Sequence, residues 1–149
     1  MKNCLIILFV FAGFTICNSQ ILKPVKWSTE VKKVSDVEYE LITNALIEEN
    51  WHLYSQNVPE GGPVSTSFSF VGNNKYLKKG NTKEQKGIVV NDPTFNMEVK
   101  YFETKTKFVQ RIKLKSKPPF KINSEVSYMV CDNSKCIMPE PEILVFDLK

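Results

Sequence analysis

The groups able to do covalent chemistry in this chain are few: four cysteines (Cys4, Cys17, Cys131 and Cys136) and one histidine, His52. Cys131 and Cys136 bracket the segment Asp132-Asn133-Ser134-Lys135, whose first three residues are turn formers. Two thiols brought together by a turn can close a disulfide, and a disulfide can either hold structure or exchange electrons. For so small a loop the chain-entropy contribution to stability is about 2 kcal/mol, less than a long-loop bridge supplies. Such a bridge joins no distant strands and is a weak staple, yet spacing alone leaves both uses open. Charge separates the two thiols. Asp132 disfavours a thiolate at Cys131, whereas Lys135 favours one at Cys136, which makes Cys136 the better nucleophile.

Other chemistries find little support. Residues 1–19 carry Lys2, an apolar run from Leu5 to Ile16, and small residues at Cys17 and Ser19, the pattern of a secretory signal peptide cut before Gln20. The run is too short for a membrane span and no second one follows, so no transmembrane helix is expected in the mature chain. Anchoring as a lipoprotein through Cys17 is disfavoured by the bulky Ile16 before it. Cys4 and Cys17 leave with the leader. Two cysteines and His52 then remain, too few for a standard zinc site, so no metal is expected. The net charge of +4 comes from scattered lysines and indicates no nucleic-acid partner. No Gly-x-Ser-x-Gly elbow accompanies His52, which reads as a plain strand residue beside Trp51, and a hydrolase is not indicated. Glu38, Glu40, Glu48 and Glu49 show no carboxylate dyad.

The elements that must position the cysteine pair read as strands. From Lys105 to Lys117 the odd positions are mostly basic while Phe108, Ile112 and Leu114 fall on even ones, a half-buried strand with a solvated face. Thr66, Phe68 and Phe70 alternate with serines over 65–71. Val126, Tyr128 and Val130 alternate over one strand, as do Leu144, Phe146 and Leu148 in another. Shorter strands are expected at 87–90 and 98–102. The stretch Val37 to Trp51 suits either a strand or a helix and is taken as a strand. Turn formers at 57–63, 72–74, Gly80-Asn81, 91–93, 117–119 and 132–134 separate these runs. Seven or so short strands predict an all-β sandwich, one domain over residues 20–149. With Val126, Tyr128 and Val130 facing the core, Cys131 falls on the opposite pleat, and at its strand end it is expected close to solvent.

On these residues the chain resembles the N-terminal domain of the periplasmic thiol:disulfide interchange protein DsbD, an immunoglobulin-like sandwich. The matching positions are Trp27, Trp51-His52-Leu53-Tyr54-Ser55, the Gly62-Pro63 turn, Asp92-Pro93-Thr94-Phe95, Tyr101-Phe102 and the run from Tyr128 to Pro139. The resemblance implies a pair that passes two electrons from a membrane-embedded reductase, through a thioredoxin-like domain, to oxidised periplasmic partners. It implies that Cys136 forms the mixed disulfide, that Cys131 resolves it, and that Phe95 tips a cap loop shielding the pair. No cofactor is required, and the donor is expected to be a separate chain. The loop between the cysteines is one residue shorter than in well-known members, and Ile137-Met138-Pro139 stands where they carry two prolines. A non-catalytic immunoglobulin-like binding module, its disulfide merely structural, remains the alternative.

Overall fold

The computed structural model describes residues 22–149, and the export signal expected at 1–19 lies outside the described residues. Alternation of apolar and polar residues is realised as twelve strands: β1 (Val25–Lys33), β2 (Glu38–Ile47), β3 (His52–Tyr54), β4 (Ser67–Phe70), β5 (Tyr76–Glu84), β6 (Ile88–Asp92), β7 (Met97–Phe102), β8 (Lys105–Leu114), β9 (Phe120–Ser127), β10 (Val130–Cys131), β11 (Cys136–Ile137) and β12 (Glu142–Leu148). They form three antiparallel sheets, ordered β1-β2-β8-β5, β11-β10-β3-β7-β6 and β12-β9-β4. The expected all-β class is what is observed, with more strands than the seven or so foreseen.

One core serves all three sheets. Leu41 and Ala45 from β2, Phe108 and Ile112 from β8, Ile122 and Val126 from β9, and Leu144, Phe146 and Leu148 from β12 are buried together with Leu53, Phe102 and Val130. The period-two pattern over β8 holds: Phe108, Ile112 and Leu114 are buried, while Lys105, Lys107, Arg111 and Lys113 are exposed. That basic face is partly neutralised across the ladder, where Lys79 reaches Glu38 at 2.6 Å and Arg111 reaches Glu40 at 3.2 Å.

Several expectations need correction. Val37 to Trp51 is not one strand: β2 stops at Ile47, a turn containing Asn50 at φ 66° follows, and β3 starts at His52. Gly80-Asn81 is not a turn between elements but an irregularity inside β5, where the register against β8 shifts between Lys79 and Lys83. Gly80 sits at φ +67°, a conformation cheap only without a Cβ, so the chain bulges there without ending the strand. Val126, Tyr128 and Val130 are all buried as expected, but they do not share one strand. The chain leaves the three-stranded sheet after Ser127 and enters the five-stranded sheet at Val130, so the alternation runs on across a change of sheet. This crossing delivers Cys131 to the sheet that holds the site.

A buried carboxylate fixes the strand on which the site is built. Glu84 at the end of β5 accepts hydrogen bonds from Ser55 Oγ at 2.5 Å, Gln56 N at 2.8 Å and Asn57 Nδ2 at 3.0 Å, and it pairs with Lys100. Burial alone would push its pKa up, but the hydrogen bonds from Lys100, Ser55, Gln56 and Asn57 outweigh burial and hold it below the ordinary carboxylate range.

Candidate functional site

Side chains on a strand alternate between faces, and residues directly paired across a ladder share one. In the five-stranded sheet Cys131 pairs with both Cys136 and His52, Tyr54 pairs with Tyr101, and Val90 pairs with Val99. The two cysteines, His52, Tyr54, Tyr101, Val99 and Val90 therefore stand on one face. Their chain neighbours Val130, Leu53, Phe102 and Ile137 point the other way, into the core. Cys131 and Cys136 are joined as a disulfide across the hairpin of β10 and β11, whose strands have two residues each.

The hairpin loop is held by Asp132. Its Oδ1 accepts from Ser134 N at 2.7 Å, Ser134 Oγ at 2.8 Å and Lys135 N at 2.8 Å, and its own N–H donates to the Lys135 carbonyl at 2.9 Å. The Ser134 backbone N–H, above all, keeps the Asp132 carboxyl below its ordinary range. Lys135, beside Cys136, places its ammonium 5.8 Å from the centre of the Trp51 ring.

The two cysteines differ sharply in exposure. Cys136 is exposed, but Cys131 is only 2% exposed. The expectation of Cys131 on the pleat opposite Val130 holds, whereas the expectation of solvent proximity does not. Its face is covered: Tyr54 and Val99 are buried beside it, and Phe95, Met97, Tyr101 and Met129 pack against this cluster. The strand end is thus roofed by residues from β3, β7 and the loop after β6, distant in sequence, together with Met129 from just before β10.

Phe95 lies on that loop. Asp92, itself buried, accepts from Thr94 N at 2.8 Å and Phe95 N at 3.4 Å through Oδ1, which turns the chain back toward β7. Through Oδ2 it accepts from the Tyr54 hydroxyl at 3.0 Å, fixing the loop to the sheet. The Phe95 ring meets Tyr54 edge-on, with centroids 6.0 Å apart. Phe95 and both cysteines line one cavity of about 550 Å³, with His52, Tyr54, Asp92 and Tyr101 in its wall.

His52, Tyr54, Tyr101 and Asp92 carry no functional assignment in the sequence reading. Tyr54 OH lies 3.2 Å from His52 Nε2, and the imidazole also stacks obliquely on Tyr101 with centroids 4.6 Å apart. Burial, then the Asp92 carboxylate, push the Tyr54 phenol well above its usual pKa. Burial lowers the His52 pKa against the opposing pull of Asp92, Glu103 and Asp132. The available signal was the His-x-Tyr alternation at 52 and 54, which puts both rings on one face. What the sequence could not show was that this face belongs to Cys131. Among the described residues, no group of three or more His, Cys, Asp and Glu side chains is arranged to hold a metal.

The family model described as thiol:disulfide interchange protein DsbD, N-terminal, matches residues 19–148. Among solved structures, the N-terminal periplasmic domain of ScsB from Proteus mirabilis aligns with a TM-score of 0.58 and 15% identity, over 80% of this chain and 44% of that one. The reduced N-terminal domain of DsbD from Neisseria meningitidis aligns at 0.49 and 12%, over 82% of this chain and 83% of that one. The same organism's complex between the DsbD and PilB N-terminal domains aligns at 0.49 and 12%, over 86% and 87%. No curated protein sequence matches. At 15% identity the ScsB domain speaks for the fold alone, while the family model spans almost the whole described chain, and the chain belongs to the family of DsbD N-terminal domains, immunoglobulin-like periplasmic domains that relay reducing equivalents.

Proposed function

We propose that the chain is an exported thiol-disulfide exchange protein whose Cys131–Cys136 pair carries reducing equivalents between a thioredoxin-like donor or membrane-embedded reductase and oxidised partner proteins. The observation that carries this reading is the asymmetry of the pair: one cysteine exposed and the other buried, both lining one cavity. A bridge serving only stability has no need of an exposed end, and this one spans a single hairpin, where it contributes about 2 kcal/mol by the chain-entropy estimate. In the reduced state Cys136 attacks a partner disulfide, a mixed disulfide forms, and the first partner sulfur leaves as a thiol. Cys131 then attacks Cys136, the mixed bond breaks, and the partner departs with both electrons while the chain is left as the disulfide. No cofactor enters the cycle. Removal of residues 1–19 on export delivers the domain to the periplasm, and Phe95 shields the reduced pair there until a partner displaces it.

Equilibrium with glutathione tests this. An exchange pair titrates within reach of the glutathione couple, whereas a structural bridge resists reduction, typically down to below about −300 mV. A pair that stays oxidised in excess reduced glutathione, in folded protein, would overturn the proposal in favour of a binding module with a fixed disulfide.

A further inference from the structure

We infer that His52 is the acid–base group of the exchange, taking the proton of Cys131 as that thiol resolves the mixed disulfide and returning it to the departing partner sulfur. This rests on the exchange reading above and adds a catalytic residue to it.

The need for such a group follows from burial. Only a thiolate attacks a disulfide, and a thiol in an apolar setting holds its proton more tightly than a free one. Cys131 is 2% exposed among Tyr54, Val99, Phe95 and Met129, so water has little access to remove that proton. A base must stand within the cavity wall. The carboxylates there are poor acceptors of it: three hydrogen bonds to Asp132 Oδ1 hold that carboxyl below its ordinary range, and Asp92 accepts from Tyr54, Thr94 and Phe95.

His52 is differently placed. It is the cross-strand partner of Cys131, on the same face, and paired residues hold their Cβ atoms about 4.5–5.5 Å apart. Its tautomer follows from its neighbours. The Tyr54 hydroxyl has one hydrogen and donates it to Asp92, so at Nε2 the tyrosine oxygen can only accept. The neutral ring therefore carries its proton on Nε2 and leaves the Nδ1 lone pair free, and Nδ1 has no hydrogen-bond partner among the described residues. A carboxylate, a phenol and an imidazole in series thus fix the tautomer of a base that is the cross-strand neighbour of Cys131, the kind of group general-base catalysis uses.

The proton bookkeeping closes. The Cys131 proton moves to Nδ1, the Cys131 thiolate attacks Cys136 Sγ, the Cys136–partner bond breaks, and the leaving partner thiolate takes the proton back from the imidazolium. The charges facing the ring are Asp92 from the end of β6, Glu103 beyond β7, and Asp132 and Lys135 from the hairpin, with Glu48 and Glu49 across the adjoining cleft. Five of these six are acidic, and Asp92, Glu103 and Asp132 favour the transient imidazolium. Burial keeps the resting ring neutral at pH 7, with its pKa below the ordinary 6.5.

The test uses the reduced mature chain mixed with oxidised glutathione, quenched with acid at intervals between pH 5 and 8, the glutathione adduct at Cys136 being counted by mass. In the native chain the resolving step should slow as pH falls through an inflection below 6.5. His52→Phe should slow resolution at pH 7 by about tenfold or more, accumulate the adduct and lose the inflection. His52→Gln, which keeps a donor toward Tyr54 but no titrating base, should show the same losses. Native-like resolution and inflection in either folded variant would overturn the inference. A native chain that forms no adduct and no oxidised product would instead sink the exchange reading itself.

Discussion

The two faces of the five-stranded sheet are built from the same strands, one residue out of step, and they behave as different materials. On the inner face Leu53 and Val130 are fully buried and Phe102 nearly so, all in the common core. On the outer face, at 52, 54, 101 and 131, stand an imidazole, two phenols and a disulfide sulfur around one cavity, with the imidazole hydrogen-bonded to one phenol and packed on the other. The lesson is one of separation. Period two lets a three-residue strand such as β3 serve packing with Leu53 and chemistry with its two neighbours, so the two can be broken independently.

The largest effect expected is on the chemistry alone. Cys136→Ser should abolish exchange with any disulfide partner while lowering stability by no more than about 2 kcal/mol, the loop-closure contribution; reduction assays and urea titration on one preparation report both. On the inner face the ordering reverses. Leu53→Ala empties a site with no solvent exposure and should cost about 2–5 kcal/mol in urea unfolding, with exchange by the folded fraction retained. Equal damage to both properties from either substitution would dissolve the distinction between faces.

Smaller effects sharpen it. Asp92→Ala removes the acceptor of the Tyr54 hydroxyl and of two loop amides, and should cost about 1–3 kcal/mol. It should also raise hydrogen exchange at Thr94 and Phe95 while leaving β8 and β9 protected. Phe95→Ala should speed alkylation of the reduced pair several-fold with little change in stability, and an unchanged rate would remove Phe95 from any shielding role. The smallest concerns Glu84, whose folded pKa lies below its ordinary 4.5. Its contribution is present above that pH and lost as pH falls through the lower folded value. The stability gap between native protein and Glu84→Gln should therefore narrow on acidification below about pH 4.5.

The inner face was largely legible in the sequence. Phe108, Ile112 and Leu114 in β8, and Leu144, Phe146 and Leu148 in β12, declared their burial by simple alternation. Strands whose exposed residues dominate did not. β5, Tyr76–Glu84, is almost wholly solvent-facing and contains a bulged glycine, so it resembled a turn, and β1 is likewise mostly polar. The cysteine pair was legible from type and spacing. Apart from Met129, the surroundings of Cys131 were not, because they come from β3, β7 and the loop after β6, separated from it by about 30 to 80 residues and brought near only by ladder register, a long-range property that local periodicity does not encode. For the same reason His52 read as an ordinary strand residue.

The central claim is that the exposed sulfur meets partners and the buried one resolves, and trapping tests it most directly. Cys131→Ser and Cys136→Ser should each be reduced, incubated with an oxidised thioredoxin-like protein from the same compartment, and resolved on a non-reducing gel. The account predicts a stable mixed disulfide through Cys136 in the first variant and none in the second. A complex through Cys131, or none from either variant while both remain folded, would contradict it.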